Sequence, residues 1–187
     1  NIVLEGDNTI SSGGSNAISV IGALKISGNG NLTASNGNNS LTTVYARRDK
    51  TINGGATVTA IKAGGNAQAI NADSGTITVS DNDTKLVAIN NGSTVSTEGV
   101  ASYAIKADAV NVSDKAGLTA IQGGSAEVPA VYGTVNISEG SDHNKVFIGN
   151  TTQHWHECTT AECSTNKDKK NHTFNTEGNM KVCTECG

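Results

Sequence analysis

The stretch QAINADSGTITV, residues 68 to 79, holds the two short elements from which most of this chain is built. Apolar and polar residues alternate in elements such as TITV and AVNV, which is the period-two pattern of a β-strand with one buried face. The first element recurs as NAISV, TVYAR, VAINN, YAIKA and PAVYG, and the second as ALKIS, DKTIN, GSTVS, DAVNV and GTVNI. We therefore expect a fold made of short, repeated strands.

The two series of elements keep the same spacing along the chain. The first series, aligned on Ala17, Val44, Ala69, Ala88, Ala104 and Ala130, has steps of 27, 25, 19, 16 and 26 residues. The second series, aligned on Ile26, Ile52, Ile77, Val95, Val110 and Val135, has steps of 26, 25, 18, 15 and 25 residues. Because the two series change step together, they indicate repetition of one unit. A third element, seen as NLTAS, ATVTA and GLTAI, occurs in the longer repeats.

Turn-forming sequences such as SGNG, NGG and AGGN separate the elements. The same elements recur in the same order and direction, which favours a parallel coil over a series of hairpins. The fold predicted for residues 1–150 is all-β, a parallel β-solenoid of about six irregular rungs stacked at ~4.8 Å. A thin interior of Ala, Val, Ile and Leu fits a chain in which aromatic residues make up 3%.

The columns of aligned residues predict which side chains face inward. The position after each aligned residue of the first series is apolar and predicted to be buried: Ile18, Tyr45, Ile70, Ile89, Ile105 and Val131. The next position, predicted to face solvent, holds Ser19, Ala46, Asn71, Asn90, Lys106 and Tyr132. Asn71 above Asn90 predicts a surface amide ladder, and Tyr132 is the one aromatic ring expected to be exposed. We take Tyr132, Asn71 and Asn90 as candidate ligand-binding residues.

Charge and hydropathy exclude two classes of partner. The formal charge is −4 and no basic patch is present, so no nucleic acid is expected as a partner. No apolar run approaches the ~20 residues that span a bilayer, so membrane insertion is not expected.

One cluster of acidic residues raises the alternative of a β-helix polysaccharide lyase or hydrolase. Asp73, Asp81 and Asp83, with Arg47 and Arg48 nearby in the repeat, are the residues on which such chemistry would depend. The segment SDNDT around Asp81 also fits a turn in which Asp bonds its own backbone, and this interpretation is preferred. Calcium is therefore not expected, and we expect no catalysis.

The last segment, residues 151–187, is predicted to be a small module of a different kind. It holds all four cysteines, as Cys158-x4-Cys163 and Cys183-x2-Cys186, and three histidines, His154, His156 and His172. So short a segment needs a metal, disulfides or docking onto a larger body to be stable. The spacing fits a structural zinc site of the four cysteines with His156 as a spare ligand, and disulfides also fit.

The chain resembles the β-helical repeat regions of secreted or wall-attached proteins of Gram-positive bacteria, some of which bind carbohydrate. The body's NGGATVT and SGTITV carry that resemblance, and HWHEC, DKKNHTF and VCTECG resemble a Cys/His-bearing module that accompanies such repeats. The resemblance implies a right-handed β-helix displayed outside the cell. We expect a non-catalytic module for adhesion, glycan binding or spacing, whose partners are polysaccharides or surface proteins and which continues into a longer chain or neighbouring modules.

Overall fold

The computed structural model describes residues 1–92, 102–123, 129–138 and 145–150, together with the backbone of four strands within residues 153–183. The strands of the body are β1 (Ile2–Leu4), β2 (Asp7–Ser12), β3 (Ile18–Val20), β4 (Leu24–Gly28), β5 (Asn31–Asn36), β6 (Val44–Ala46), β7 (Lys50–Ile52), β8 (Thr57–Lys62), β9 (Ile70–Asn71), β10 (Thr76–Val79), β11 (Lys85–Asn90), β12 (Ile105–Val112), β13 (Gly117–Gln122), β14 (Val131–Ile137) and β15 (Val146–Asn150). The four strands that follow are β16 (Gln153–His156), β17 (Lys167–Asn171), β18 (Phe174–Glu177) and β19 (Met180–Cys183).

The body is a parallel β-solenoid of about five turns with three faces. The first face stacks β3, β6, β9 and the starts of β12 and β14, and the second stacks β1, β4, β7, β10 and the ends of β12 and β14. The third face stacks β2, β5, β8, β11, β13 and β15. Every strand pair within the body is parallel, as the repeat predicted. We number the complete rungs from 1, which begins with β3, to 5, which begins with β14.

The prediction of about six rungs was wrong by one because the element VAINN was assigned to the wrong face. VAINN is the end of β11 on the third face, where Ala88 pairs with Ala60 and Ala120. It therefore completes rung 3 and does not begin a rung of its own. The second-series residue Val95 lies outside the described residues. The right-handed coil stays a prediction.

The predicted inward column of the first face was correct except at two positions. Ile18, Val44, Ile70, Ile105 and Val131 are in register and buried. Tyr45 was predicted to be buried, but it lies in the outward column between Ser19 and Asn71, while Val44 and Ala46 point inward. The reason is size, since an interior lined by small aliphatic side chains accommodates Val and Ala at this rung more readily than a phenol ring.

The second wrong position is Ile89, which is half-buried in an outward column of the third face with Ile61 and Ile121. The alignment of the second series was also shifted by two residues at this rung. It placed Ile77 beside Ile52, but Val79 pairs with Ile52 and Ile77 pairs with Lys50. A slip of two residues preserves the inward orientation, so both Ile77 and Val79 are buried.

Glycines at the corners allow neighbouring rungs to approach each other closely. Gly28 has φ +107°, and a Cβ at this position would overlap the carbonyl group of Leu4 on the rung below. Glycine is therefore required here both by the positive φ and by the lack of space. This explains why the breaks between elements are rich in glycine.

The segment after the body adds two antiparallel strands to the third-face sheet. β16 pairs antiparallel with β15, and β17 pairs antiparallel with β16. β18 and β19 form a separate antiparallel pair. The backbone of β16 therefore covers the last strand edge of the third face.

Candidate ligand-binding groove

The outward column of the first face places five side chains one above another. Neighbouring strands pair Ser19 with Tyr45, Tyr45 with Asn71, Asn71 with Lys106, and Lys106 with Tyr132. Each step is one rung, ~4.8 Å. Two of the three candidate ligand-binding residues, Asn71 and Tyr132, therefore lie in one line on the same face.

A groove of about 430 Å³ runs beside this column. Its lining is largely polar, with an aromatic ring and a cation: Asn16, Ser19, Ser40, Leu41, Thr42, Tyr45, Asn66, Ala67, Gln68, Asn71 and Lys106. The residues outside the column come from the connections that follow β2, β5 and β8. The groove forms because the first-face strands are short, and the connections that precede them form its second side.

Two amide groups in the groove, those of Gln68 and Asn71, are held in place by neighbouring residues. Gln68 is only 8% exposed, and its Oε1 accepts hydrogen bonds from Asn71 Nδ2 at 3.4 Å and Thr42 Oγ1 at 3.5 Å. Asn71 Oδ1 accepts from the backbone N–H of Asp73 at 2.8 Å. These contacts fix both amides before any ligand arrives, which lowers the entropy cost of binding.

Two aromatic rings lie in the outward column, on rungs 2 and 5. The Tyr45 hydroxyl donates to Asp73 Oδ2 at 3.5 Å, which fixes the ring on rung 2. On rung 5 Tyr132 is 53% exposed, and its ring centroid is 5.1 Å from that of Tyr103 with 44° between the planes. The sequence placed Tyr103 in the core, but it is half-buried against Tyr132. Tilted rings at this distance support each other, so Tyr132 is held on the surface.

Asn90 was wrongly placed on the surface, since the structure buries its side chain completely. It lies in an interior column of the third face with Asn36, Lys62 and Gln122. Its Nδ2 donates to Ala67 O at 2.9 Å, Tyr103 O at 2.8 Å and Ser102 Oγ at 2.7 Å. Asn90 thus links the connection that leads into β9 with the connection that leads into β12, and its buried side chain is not available to a ligand. The surface amide ladder that does form joins Asn136 Nδ2 to Asn111 Oδ1 at 2.8 Å on the second face.

A buried lysine lies beneath the groove. Lys50 occupies an inward position of β7, is 3% exposed, and donates to the backbone carbonyls of Ala46 and Asn71. Burial lowers its pKa from 10.5 to about 7, against the smaller raising effects of Asp73 and Asp49. Burial also lowers the pKa of Lys62, which donates to the carbonyls of Asn38 and Gly64. The alternation of strand residues is consistent with an inward position for Lys50, but it does not identify the carbonyl groups that accept its hydrogen bonds.

The acidic residues considered for catalysis lie at two different corners. Asp73 precedes β10, while Asp81 and Asp83 follow it. Asp81 has φ 75° and Asp83 has φ 65°, and Asp81 Oδ2 accepts from the backbone N–H of Gly54 at 2.9 Å. Asp81 therefore lies in a turn, as preferred, but its carboxylate bonds the backbone of the rung below and not its own. Arg47 lies with Asp73 on the first of these corners, because its carbonyl accepts from the N–H of Ser74.

The predicted metal ligands are not tested. Cys158, Cys163 and Cys186 lie outside the described residues, and Cys183 and His156 belong to β19 and β16, of which only the backbone is described. Within the part of the chain that the structure describes, no three His, Cys, Asp or Glu side chains form a group suited to a metal ion. Among these same residues, no helix is long and apolar enough to cross a membrane.

None of the family models, curated proteins or solved structures compared with this chain matches it. The parallel solenoid is thus established by the strand pairing alone. The resemblance to Gram-positive surface proteins rests on the sequence motifs quoted above. Gln68 and Lys50 are the residues around the groove that the sequence analysis did not single out, since their roles depend on connections of unequal length.

Proposed function

We propose that this chain is a non-catalytic polysaccharide-binding module of an extracellular or cell-surface protein, and that the ligand lies along the outward column of the first face. The observation that carries the proposal is the in-register series Tyr45, Asn71, Lys106 and Tyr132 beside an open polar groove. This series supplies ring faces, amides and a cation at regular intervals.

The chemistry of the groove suits a sugar chain. Pyranose rings present apolar C–H faces to aromatic rings, and their hydroxyls pair with amide donors and acceptors that are already held in place. The repeat of the column, ~4.8 Å, is comparable with the length of one sugar unit in an extended polymer. Tyr45 and Tyr132, three rungs apart, would therefore contact units separated along the same strand of polymer.

The separation of the acidic residues supports binding without cleavage. Glycoside hydrolysis needs two carboxyl groups ~5–9.5 Å apart on either side of the bond to be broken. Asp73 and Asp81 lie before and after β10, and the Asp81 carboxylate is engaged with the backbone of Gly54. The groove itself is lined by amides and one lysine, with no carboxylate among its lining residues in the described part of the chain.

For the last segment we propose a structural zinc site made of Cys158, Cys163, Cys183 and Cys186, with His156 as the alternative ligand. Two knuckles of this spacing fit a closed tetrahedral site, which stabilises a short segment without offering a position for substrate. Native mass spectrometry tests this proposal. One bound zinc, with four free thiols after chelation, would support it, and two disulfides without metal would overturn it.

The polysaccharide proposal is tested by isothermal titration calorimetry and affinity electrophoresis of the full chain against a panel of soluble polysaccharides. Tyr132→Ala and Asn71→Ala are each expected to weaken binding about tenfold, as for loss of one well-placed contact. Asn29→Ala, which removes an exposed amide at a corner of another face, serves as the matched control. Failure of every polysaccharide to bind would make the body a spacer or a protein-binding surface and would overturn the proposal.

A further inference from the structure

We propose that the corner formed by Arg47 and Arg48 is an anion subsite of the groove, so that the ligand is an acidic polysaccharide whose carboxylate or sulfate group binds there. This inference rests on the proposed polysaccharide-binding function and specifies the chemical class of the ligand. It comes from a second cavity that the first-face column does not include.

The second cavity has a volume of about 330 Å³ and is lined by Arg47, Arg48, Asp49 and Ser74. Arg47 follows Tyr45 by two residues, and Ser74 follows Asn71 by three, so the cavity lies beside the groove across the same two rungs. Two residues of extended chain span about 7 Å. A sugar ring on Tyr45 would therefore hold its acidic substituent within reach of the arginines.

The cations of this region are available to a ligand. Arg47 and Arg48 are exposed, and within the described residues neither guanidinium has a hydrogen-bond or ion-pair partner. The same holds for the ammonium group of Lys106, which lines the groove two rungs above Tyr45. Guanidinium groups bind carboxylate and sulfate oxygens in pairs, which adds direction to the attraction.

The carboxylate in the arginine cavity is already engaged. Asp49 Oδ1 accepts from Thr76 N at 2.8 Å and from Thr76 Oγ1 at 3.3 Å. Asp73 lies at the same corner one rung above, where its Oδ2 accepts from the Tyr45 hydroxyl at 3.5 Å, and Asp108 lies on rung 4. The carboxylates of Asp49 and Asp73 thus have hydrogen-bond donors within the protein, whereas the two guanidinium groups are available to a ligand. The two arginines would therefore hold an acidic chain at one position on the column.

The experiment compares polymers that differ only in charge. The full chain is titrated with galacturonan, mannuronan and hyaluronan, and with the methyl ester of each, which keeps the rings and removes the negative charge. We expect the acidic forms to bind and the esters to bind at least about tenfold more weakly. Arg47→Gln/Arg48→Gln should reduce binding of the acid to the level of the ester and leave binding of the ester unchanged. Lys25→Gln, which removes an exposed cation of β4 on the second face, should change neither.

Each other outcome overturns a defined part of the proposal. If acid and ester bind equally and the arginine variant binds like the wild type, the groove binds polysaccharide but has no anion subsite. If Lys25→Gln weakens binding as much as the arginine variant does, the attraction is unspecific and the subsite is wrong. If neither form of any polymer binds, the anion subsite and the polysaccharide-binding function both fail.

Discussion

The triplet Ala-Ile-Asn occurs twice in this chain and faces opposite ways in its two positions. On the first face, Ile70 is buried and Asn71 lines the groove. On the third face, Ile89 is half-exposed and Asn90 is completely buried. The orientation is decided by the strands above and below, because Ile70 lies between Val44 and Ile105, while Asn90 lies between Lys62 and Gln122. In a solenoid, the residues stacked above and below a side chain therefore decide whether it points inward or outward, and the local sequence alone does not.

The two faces also differ in what they contribute to the molecule. Third-face strands of six residues, such as β5, β8 and β11, pair without interruption. The first face has strands of two or three residues in rungs 1 to 3, and the connections beside them form the groove. The third face supplies continuous pairing, and the first face supplies the surface on which a ligand can be bound.

The largest expected effect comes from the same substitution at the two isoleucines. Ile70→Asp should lower the free energy of unfolding by roughly 3–5 kcal/mol, because it places an unpaired carboxylate in the core. Ile89→Asp should cost about 1 kcal/mol, because its carboxylate can reach water. Urea denaturation of both variants measures the difference. Equal losses would contradict the opposite facing of the two triplets.

The buried Lys50 tests whether the first face depends on a neutral amine beneath it. Its pKa is lowered to about 7 in the folded state from 10.5, so between these values the unfolded state binds more protons, and stability rises with pH across this window. Lys50→Met should remove this part of the pH dependence, which amounts to up to roughly 4 kcal/mol across the window.

Thermal or urea unfolding at several pH values between 6 and 10 measures the effect as the difference between variant and wild type. Lys25→Met, in the neighbouring strand β4, removes an exposed lysine and should leave the pH dependence unchanged. Lys62, whose pKa burial also lowers, remains in both proteins and acts in the same direction. A variant that keeps the full slope would show that Lys50 is hydrated and charged in the folded protein.

The asparagines of the two triplets should differ less than the isoleucines do, and here the third-face residue, Asn90, should be the more important for stability. Asn90→Ala should cost roughly 2–3 kcal/mol, because the carbonyls of Ala67 and Tyr103 lose a buried donor. Asn71→Ala, on the surface of the groove, should cost under about 1 kcal/mol while still weakening ligand binding. Hydrogen exchange of the connections around residues 67 and 103 would locate the loss. Protection there that is unchanged in Asn90→Ala would contradict the tying role of this residue.

The surface amide ladder should have the smallest effect. Asn136→Ala removes the 2.8 Å bond to Asn111 at an exposed position. The expected loss is under about 0.5 kcal/mol, because water replaces the exposed partner. Urea denaturation checks it, and a loss as large as that of Asn90→Ala would mean that outward ladders stabilise the solenoid as much as the interior column does.

The sequence was sufficient to predict the parallel solenoid, because the spacing of elements is preserved in both series. It was insufficient to assign VAINN to a face. That segment shares the three letters Ala-Ile-Asn with QAINA of the first face, but only Ala-Ile with its true partners on the third face, TVTAIK and GLTAIQ. Tyr45 was misplaced for a related reason, because Val44 and Ala46 alternate equally well in either register. The surface positions of Asn71 and Tyr132 were predicted correctly because their rungs were aligned with the right first-face partners. The position of Asn90 was predicted wrongly because its segment belongs to the third face.

The column of Tyr45, Asn71, Lys106 and Tyr132 also bears on how such a protein changes over evolutionary time. Corresponding residues of consecutive rungs, such as Leu32 and Val58, are 26 positions apart and in register. Duplication or loss of one such segment would lengthen or shorten the molecule by a whole rung while leaving every other pairing intact. The distance between Tyr45 and Tyr132 would then change by one rung, ~4.8 Å, at a time. Under the proposed polysaccharide-binding function, gene duplication would in this way adjust the length of polymer that is bound without altering the binding residues already present.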